Sequence, residues 1–347
     1  MGILLAGSGL LLVTPADATF SGRAGRVAFV TTQSSDCGTC SPFDPTVWTV
    51  RPNGRDRRRF GFGKAPAFSP SGRWLAYQVI GDPHDLAEPM GIAIARRDGS
   101  QRRRLTRGYG GPPAWSPGGD ALAFVARGRA GSEDFEKGAL WTVQPFGGET
   151  RMLVGSAVDL GSHPTWSPSG LQLAFTRQQP NTGQKWVTVV NRDGTGMREL
   201  APGKAPIWSR QGKLAFLQRG RLQVLNQGSA SPRLVATGVG RFQWSPGGRL
   251  LAFARRGTLY TVPSNGGRLT PIAGRGATNP TWSPTGARLA YARHLAKGDA
   301  IQTIGLARKR SARVAMVHRG PGCEEDCSFL EYISDWQALG RSTRANH

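Results

Sequence analysis

Lysine, acidic side chains, cysteine and long apolar runs are all scarce in this chain of 347 residues. Its 4 cysteines are too few to build a disulfide mini-domain, so an ordinary apolar core must hold the fold. The main apolar run, Ile3 to Val13, falls well short of the roughly 20 residues that cross a bilayer, which excludes a polytopic membrane protein. There is no G-x-S-x-G elbow, no H-E-x-x-H, no Walker loop and no EF-hand loop. No cofactor is therefore expected. Only 22 Asp and Glu stand against 45 Lys and Arg, a formal net charge of +23. Lysine supplies few of those cations; arginine dominates.

What the chain has in excess is turn residues. The 48 Gly and 24 Pro make up about a fifth of it, which disfavours a helical bundle, while 38% hydrophobic content suffices for a core. At the N-terminus, Ala16-Asp17-Ala18 follows the apolar run and offers a small-x-small cleavage site. Residues 1–18 thus read as a secretory signal, although no Lys or Arg precedes the run. The mature chain is expected to be exported to the periplasm, envelope or exterior.

An internal repeat is the strongest signal. Phe68-Ser-Pro-Ser-Gly-Arg-Trp-Leu-Ala-Tyr77 recurs at Trp115, Trp166, Trp244 and Trp282, and once more, a residue shorter, as Trp208-Ser-Arg-Gln-Gly-Lys-Leu-Ala-Phe216. The spacing is that of propeller blades. Each unit reads as four strands: A ends in the aromatic, Ser-Pro-x-Gly turns the chain, Leu-Ala-Phe is strand B, and C and D follow. Pro presets φ in such a turn and Gly takes its last position. Val27-Ala-Phe-Val30 looks like a strand B with no A before it, and Ile333-Ser-Asp-Trp336 like an A with no B after it. The last strand should therefore complete the first blade and remove the open sheet edge. The expectation is one all-β, seven-bladed β-propeller over residues 19–338, with six or eight blades as alternatives and a flexible tail over 339–347.

These (W/F)-S-P-x-G-x-x-(L/I)-A-(F/Y) units resemble those of the TolB-like propeller family, related to WD-type repeats. The resemblance implies the fold more than a role. TolB itself carries an α/β domain ahead of its propeller, for which this chain leaves no room.

Candidate chemistry sits in loops. Asp82, His84, Asp85 and Glu88 have plausible metal-ligand spacing in one loop, against the simpler reading of a solvated polar loop. Cys37, Cys40, Cys323 and Cys327 admit disulfides, a zinc site or a redox pair, and export favours disulfides. The two pairs flank the closing strand, so bridges between them would staple it. The strand-A tryptophans weigh toward core packing, as do Trp48, Trp74, Trp141 and Trp186. B–C and D–A loops should share one face, here the top, with A–B and C–D turns on the bottom. Arginines cluster in the bottom turns and carboxylates in the top loops. Aligning the units places Lys64, His163, Lys204, Arg241 and Asn279 at the channel mouth, a donor-rich ring suited to a carboxylate, phosphate or sulfate. The sequence thus reads as an exported, monomeric binding or scaffold module of the cell envelope, for an anionic envelope polymer or a protein partner. The alternative is a propeller enzyme, lyase or hydrolase, acting on an acidic envelope polymer. Nucleic acid fits poorly with export.

Overall fold

A computed structural model describes residues 23–33, 45–80, 90–108, 110–127, 138–295, 298–318 and 328–339. The expected signal segment, the loop holding Asp82, His84, Asp85 and Glu88, and all four cysteines lie outside the described residues. Among the described residues there is no helix, and so none long and apolar enough to cross a membrane.

The 28 strands fall into antiparallel sets of four, two of which are joined into an 8-stranded sheet through the single pair Val158 and Arg177. The innermost strands, numbered by blade from 1 to 7, are Ser328–Leu339, Lys64–Phe68, Ala114–Trp115, Thr165–Trp166, Lys204–Trp208, Phe242–Trp244 and Ala277–Trp282. Each touches the next, and Ser328–Leu339 touches both Lys64–Phe68 and Ala277–Trp282, so the series returns on itself. Ser328–Leu339 also pairs antiparallel with Arg23–Gln33, from Arg23 opposite Leu339 to Gln33 opposite Ser328. The expected completion of the first blade by the last strand is what the structure shows.

The repeat motif has a physical account residue by residue. In each Ser-Pro-x-Gly turn the glycine N–H donates to the serine carbonyl, as Gly119 does to Ser116 at 2.9 Å, and Gly119 takes a φ of 75° that a side chain would strain. The serine hydroxyl then accepts the N–H that opens strand B: Ala121 to Ser116 at 3.0 Å, Gln172 to Ser167 at 3.1 Å, Arg288 to Ser283 at 3.0 Å. Leu-Ala-Phe is buried on both sides, because blades pack face to face. Leu75 and Tyr77 pack with Ala28 and Val30 of blade 1, while Ala76 faces Trp115 and Leu122 of blade 3. Alanine is small enough to admit that indole.

The tryptophan does more than fill space. Trp115 Nε1 donates to the Ala67 carbonyl at 3.0 Å, Trp166 to Ala114 at 3.1 Å, Trp244 to Ile207 at 2.9 Å and Trp282 to Gln243 at 3.3 Å. Each bond ties an innermost strand to the blade before it. Packing is thus the role of these rings, and Trp48 and Trp74 are likewise engaged: Trp48 Nε1 donates to Thr31 at 2.9 Å, and Trp74 meets Phe146 edge-on at 5.3 Å.

A–B and C–D turns do share a face, since Arg97 N–H donates to Arg73 and Leu306 N–H to Ala287, C–D turn to A–B turn within one blade. The clustered arginines Arg55, Arg57, Arg59, Arg96, Arg97, Arg102, Arg103, Arg308 and Arg310 are exposed there. Other arginines of this face, and Arg103 among these, are structural. At one register position of the outermost strands, Arg58 donates to the Asp98 carbonyl at 3.0 Å, Arg151 to Asp193 at 2.9 Å and Arg233 to Asn265 at 3.4 Å. Arg103 donates likewise to Pro145. Every one of these bonds reaches the C–D turn of the following blade. Part of the arginine excess is therefore a set of clamps between blades. Arg26, buried in blade 1, bonds Thr49 Oγ1 at 2.8 Å and Asp56 at 2.7 Å.

Candidate functional site

The opposite face gathers the D–A linkers and B–C turns, as Ala277 N–H donates to Gly257 and Val239 N–H to Gly220, both at 3.0 Å. Here the innermost strands open, and three of them open alike. The ladder slips between Lys64 and Ala67, between Lys204 and Ile207, and between Thr278 and Thr281. Within these bulges Ala65, Ala205 and Asn279 have φ of 49°, 53° and 49°. A left-handed conformation costs a non-glycine residue about 1 kcal/mol or more. The same disfavoured conformation at the same level in blades 2, 5 and 7 marks a built feature, and bulges bend strands and redirect side chains. The Ala205 N–H donates to Thr176 Oγ1 of blade 4 at 3.1 Å, which anchors one bulge to its neighbour.

The five residues expected at the mouth are placed unequally. Arg241 of blade 6 is half-buried and its Nη1 donates to Asn279 Oδ1 of blade 7 at 3.4 Å, so the amide holds the guanidinium. Arg241 also reaches His163 of blade 4 electrostatically. Burial, and then the Arg241 charge, hold the His163 pKa down to about 3. His163 is therefore neutral at physiological pH and serves that donor-rich ring as a hydrogen-bonding group without charge. Lys64 and Lys204 start their strands at the same level, Lys64 half-buried and Lys204 exposed. The structure thus brings Arg241, Asn279 and His163 together and sets the lysines along the rim.

Sequence reasoning missed two things on this face. Arg219, Arg256 and Arg275 occupy B–C and D–A turns with φ of 50°, 51° and 52°, and all three are exposed. The Arg-Gly dipeptides at 219–220, 256–257 and 275–276 are their signal, since such tight turns need positive φ. The top of blades 5 and 6 is consequently basic; the carboxylates expected in the top loops lie outside the described residues. The second is an ion pair, Lys185 Nζ to Asp159 Oδ2 at 2.6 Å, on the same face between blades 3 and 4. Among the described residues no three His, Cys, Asp or Glu side chains gather as a metal site.

No family model and no curated protein matches this sequence. Solved structures do match. TolB from Acinetobacter baumannii is 15% identical with a TM-score of 0.54, over 90% of this chain and 83% of that one. The β-propeller domain of the Trilobed protease from Pyrococcus furiosus is 14% identical with a TM-score of 0.64, over 87% and 96%. Oligogalacturonate lyase from Vibrio parahaemolyticus is 11% identical with a TM-score of 0.58, over 82% and 92%. The chain spans about half the length of the peptidases it also matches. The Pyrococcus domain is described as having an open velcro topology, whereas here the first and last strands pair. At these identities the likeness is one of fold, and the fold is that of a β-propeller with TolB among its structural neighbours.

Proposed function

We propose that this chain is an exported binding module of the cell envelope that takes an anionic ligand at the top mouth of its channel. The carrying observation is Arg241, oriented by Asn279 beside a neutral His163, with Arg219, Arg256 and Arg275 on the same face. A guanidinium held by an amide is pre-organised to bind carboxylate or phosphate oxygens in pairs, while Lys64 and Lys204 add point charges. Exposed cations on a concave rim attract polyanions at long range and lose that pull as salt rises. Export rests on the apolar segment before Ala18 and its small-x-small site. The enzyme reading draws on the loop around His84, outside the described residues, and no observation favours it.

The test is titration with an oligogalacturonate, with maltoheptaose as the uncharged control. Binding is expected for the acidic oligomer alone, weakening with salt. Lys204→Ala combined with Arg241→Ala should raise Kd about tenfold or more, while Arg55→Ala with Arg57→Ala on the bottom face should leave it unchanged. Equal affinity of the mouth variant and wild type would remove the mouth as the site.

A further inference from the structure

The junction between blades 4 and 5 lacks three contacts that other junctions make. The indole bond is missing: Trp208 Nε1 is buried with no hydrogen-bond partner. The turn contact is missing too. A Cβ on Gly119, Gly170 or Gly286 would meet the proline of the preceding blade's turn at 3.6, 3.6 and 3.5 Å, whereas one on Gly212 would meet only Gln227 Oε1, at 3.3 Å, with Pro168 out of reach. The arginine clamp is absent as well. Arg198 stands opposite Val189 in the register that Arg58, Arg103, Arg151 and Arg233 share, yet it donates to no carbonyl of blade 5. The same unit is irregular in sequence: Trp208-Ser-Arg-Gln-Gly has arginine where its counterparts have proline, and one residue is missing between Gly212 and Leu214.

The gap is a bottom-face cavity of about 520 Å³, walled by Pro168, Leu200, Trp208, Leu214 and Leu225, with Arg198 at its side and the polar turn 226–230 along its edge. That size falls within the ordinary range of ligand pockets. The Arg198 guanidinium is the one charged group along it. Leu171 and Met197, next in sequence to the lining residues Gln172 and Arg198, are 67% and 43% exposed. Apolar walls beside a single guanidinium suit a polypeptide better than a saccharide. We propose that this groove docks a short peptide segment of a protein partner, with an apolar side chain seated beside Trp208 and a neighbouring carboxylate on Arg198. The site is separate from the channel mouth and does not depend on it.

A random heptapeptide library displayed on phage is the probe, panned on the wild-type protein. Enriched sequences should pair Leu, Ile or Phe with Asp or Glu, and their synthetic copies should bind about tenfold more weakly to Arg198→Ala and to Ser229→Trp, which fills the groove from an exposed turn. The indole N–H resonance of Trp208, assigned by its loss in Trp208→Phe, should shift on binding. Lys204→Ala with Arg241→Ala should bind these peptides like wild type, even if that pair also proves silent toward oligogalacturonate. No enrichment over the Arg198→Ala protein, unchanged affinity in both groove variants, or loss of binding in the mouth variant would each overturn the proposal.

Discussion

A chain ending at His318, without the closing strand, is expected to lose its cooperative unfolding transition or to keep only a small fraction of its stability. Ser328–Leu339 pairs with Arg23–Gln33 at 9 register positions, and deleting it leaves that strand as an open edge. It also breaks the ring at its contacts with Lys64–Phe68 and Ala277–Trp282. Val27 and Phe29 of the orphaned strand are fully buried in a cluster with Ala290, Ala292 and Ile301 of blade 7. Uncovering one such side chain loses about 1.5–3 kcal/mol, against a total of about 5–15 kcal/mol for a typical domain. Urea unfolding followed by near-ultraviolet circular dichroism reads the result. A truncated chain with the full-length midpoint would mean that the closing strand carries no stability.

The second large effect is a pH dependence assigned to one residue. His163 is buried and its folded pKa is about 3, below the ordinary value of 6.5, first because burial disfavours the imidazolium and then because Arg241 repels it. On acidification the unfolded chain takes up this proton first. The stabilisation is thus complete above about pH 6.5 and is lost progressively as pH falls toward 3. At about 1.4 kcal/mol per pH unit, the wild type should lose about 2 kcal/mol between pH 7 and pH 5 from this residue alone. His163→Gln should lose correspondingly less over the same interval. Asp56 does not confuse the reading: its hydrogen bonds to Arg58 and Arg26 depress its pKa, so its contribution persists above about pH 4 and is lost only below. Parallel stability losses in wild type and His163→Gln from pH 7 to 5 would refute the assignment.

These two expectations mark what the sequence could and could not disclose. Closure was legible because Val27-Ala-Phe-Val30 and Ile333-Ser-Asp-Trp336 are complementary halves of one repeat. Ser-Pro-x-Gly and Leu-Ala-Phe were legible because local turn chemistry and double-sided burial act within a few residues. The charge state of His163 was not, since it depends on the burial that the assembled ring imposes and on an arginine 78 positions away. Nor were the bulges at Ala65, Ala205 and Asn279, whose conformation no local propensity favours. The clamp role of the arginines at 58, 103, 151 and 233 was not legible either, because their acceptors lie in the following blade, about 40 residues on. The shortened repeat at Trp208 was visible as an irregularity, but the contacts missing at its junction with blade 4 are ones no motif announces.

The central claim is that the channel mouth, and not the arginine-rich bottom, is where an anion settles. A crystal structure of the wild-type protein soaked in selenate, with the anion located by its anomalous signal, addresses that directly. The account predicts selenate at the mouth, within hydrogen-bond distance of the Arg241 guanidinium, and its loss from that position in Arg241→Ala. Selenate found only among the bottom-face arginines, with the mouth empty, would contradict it.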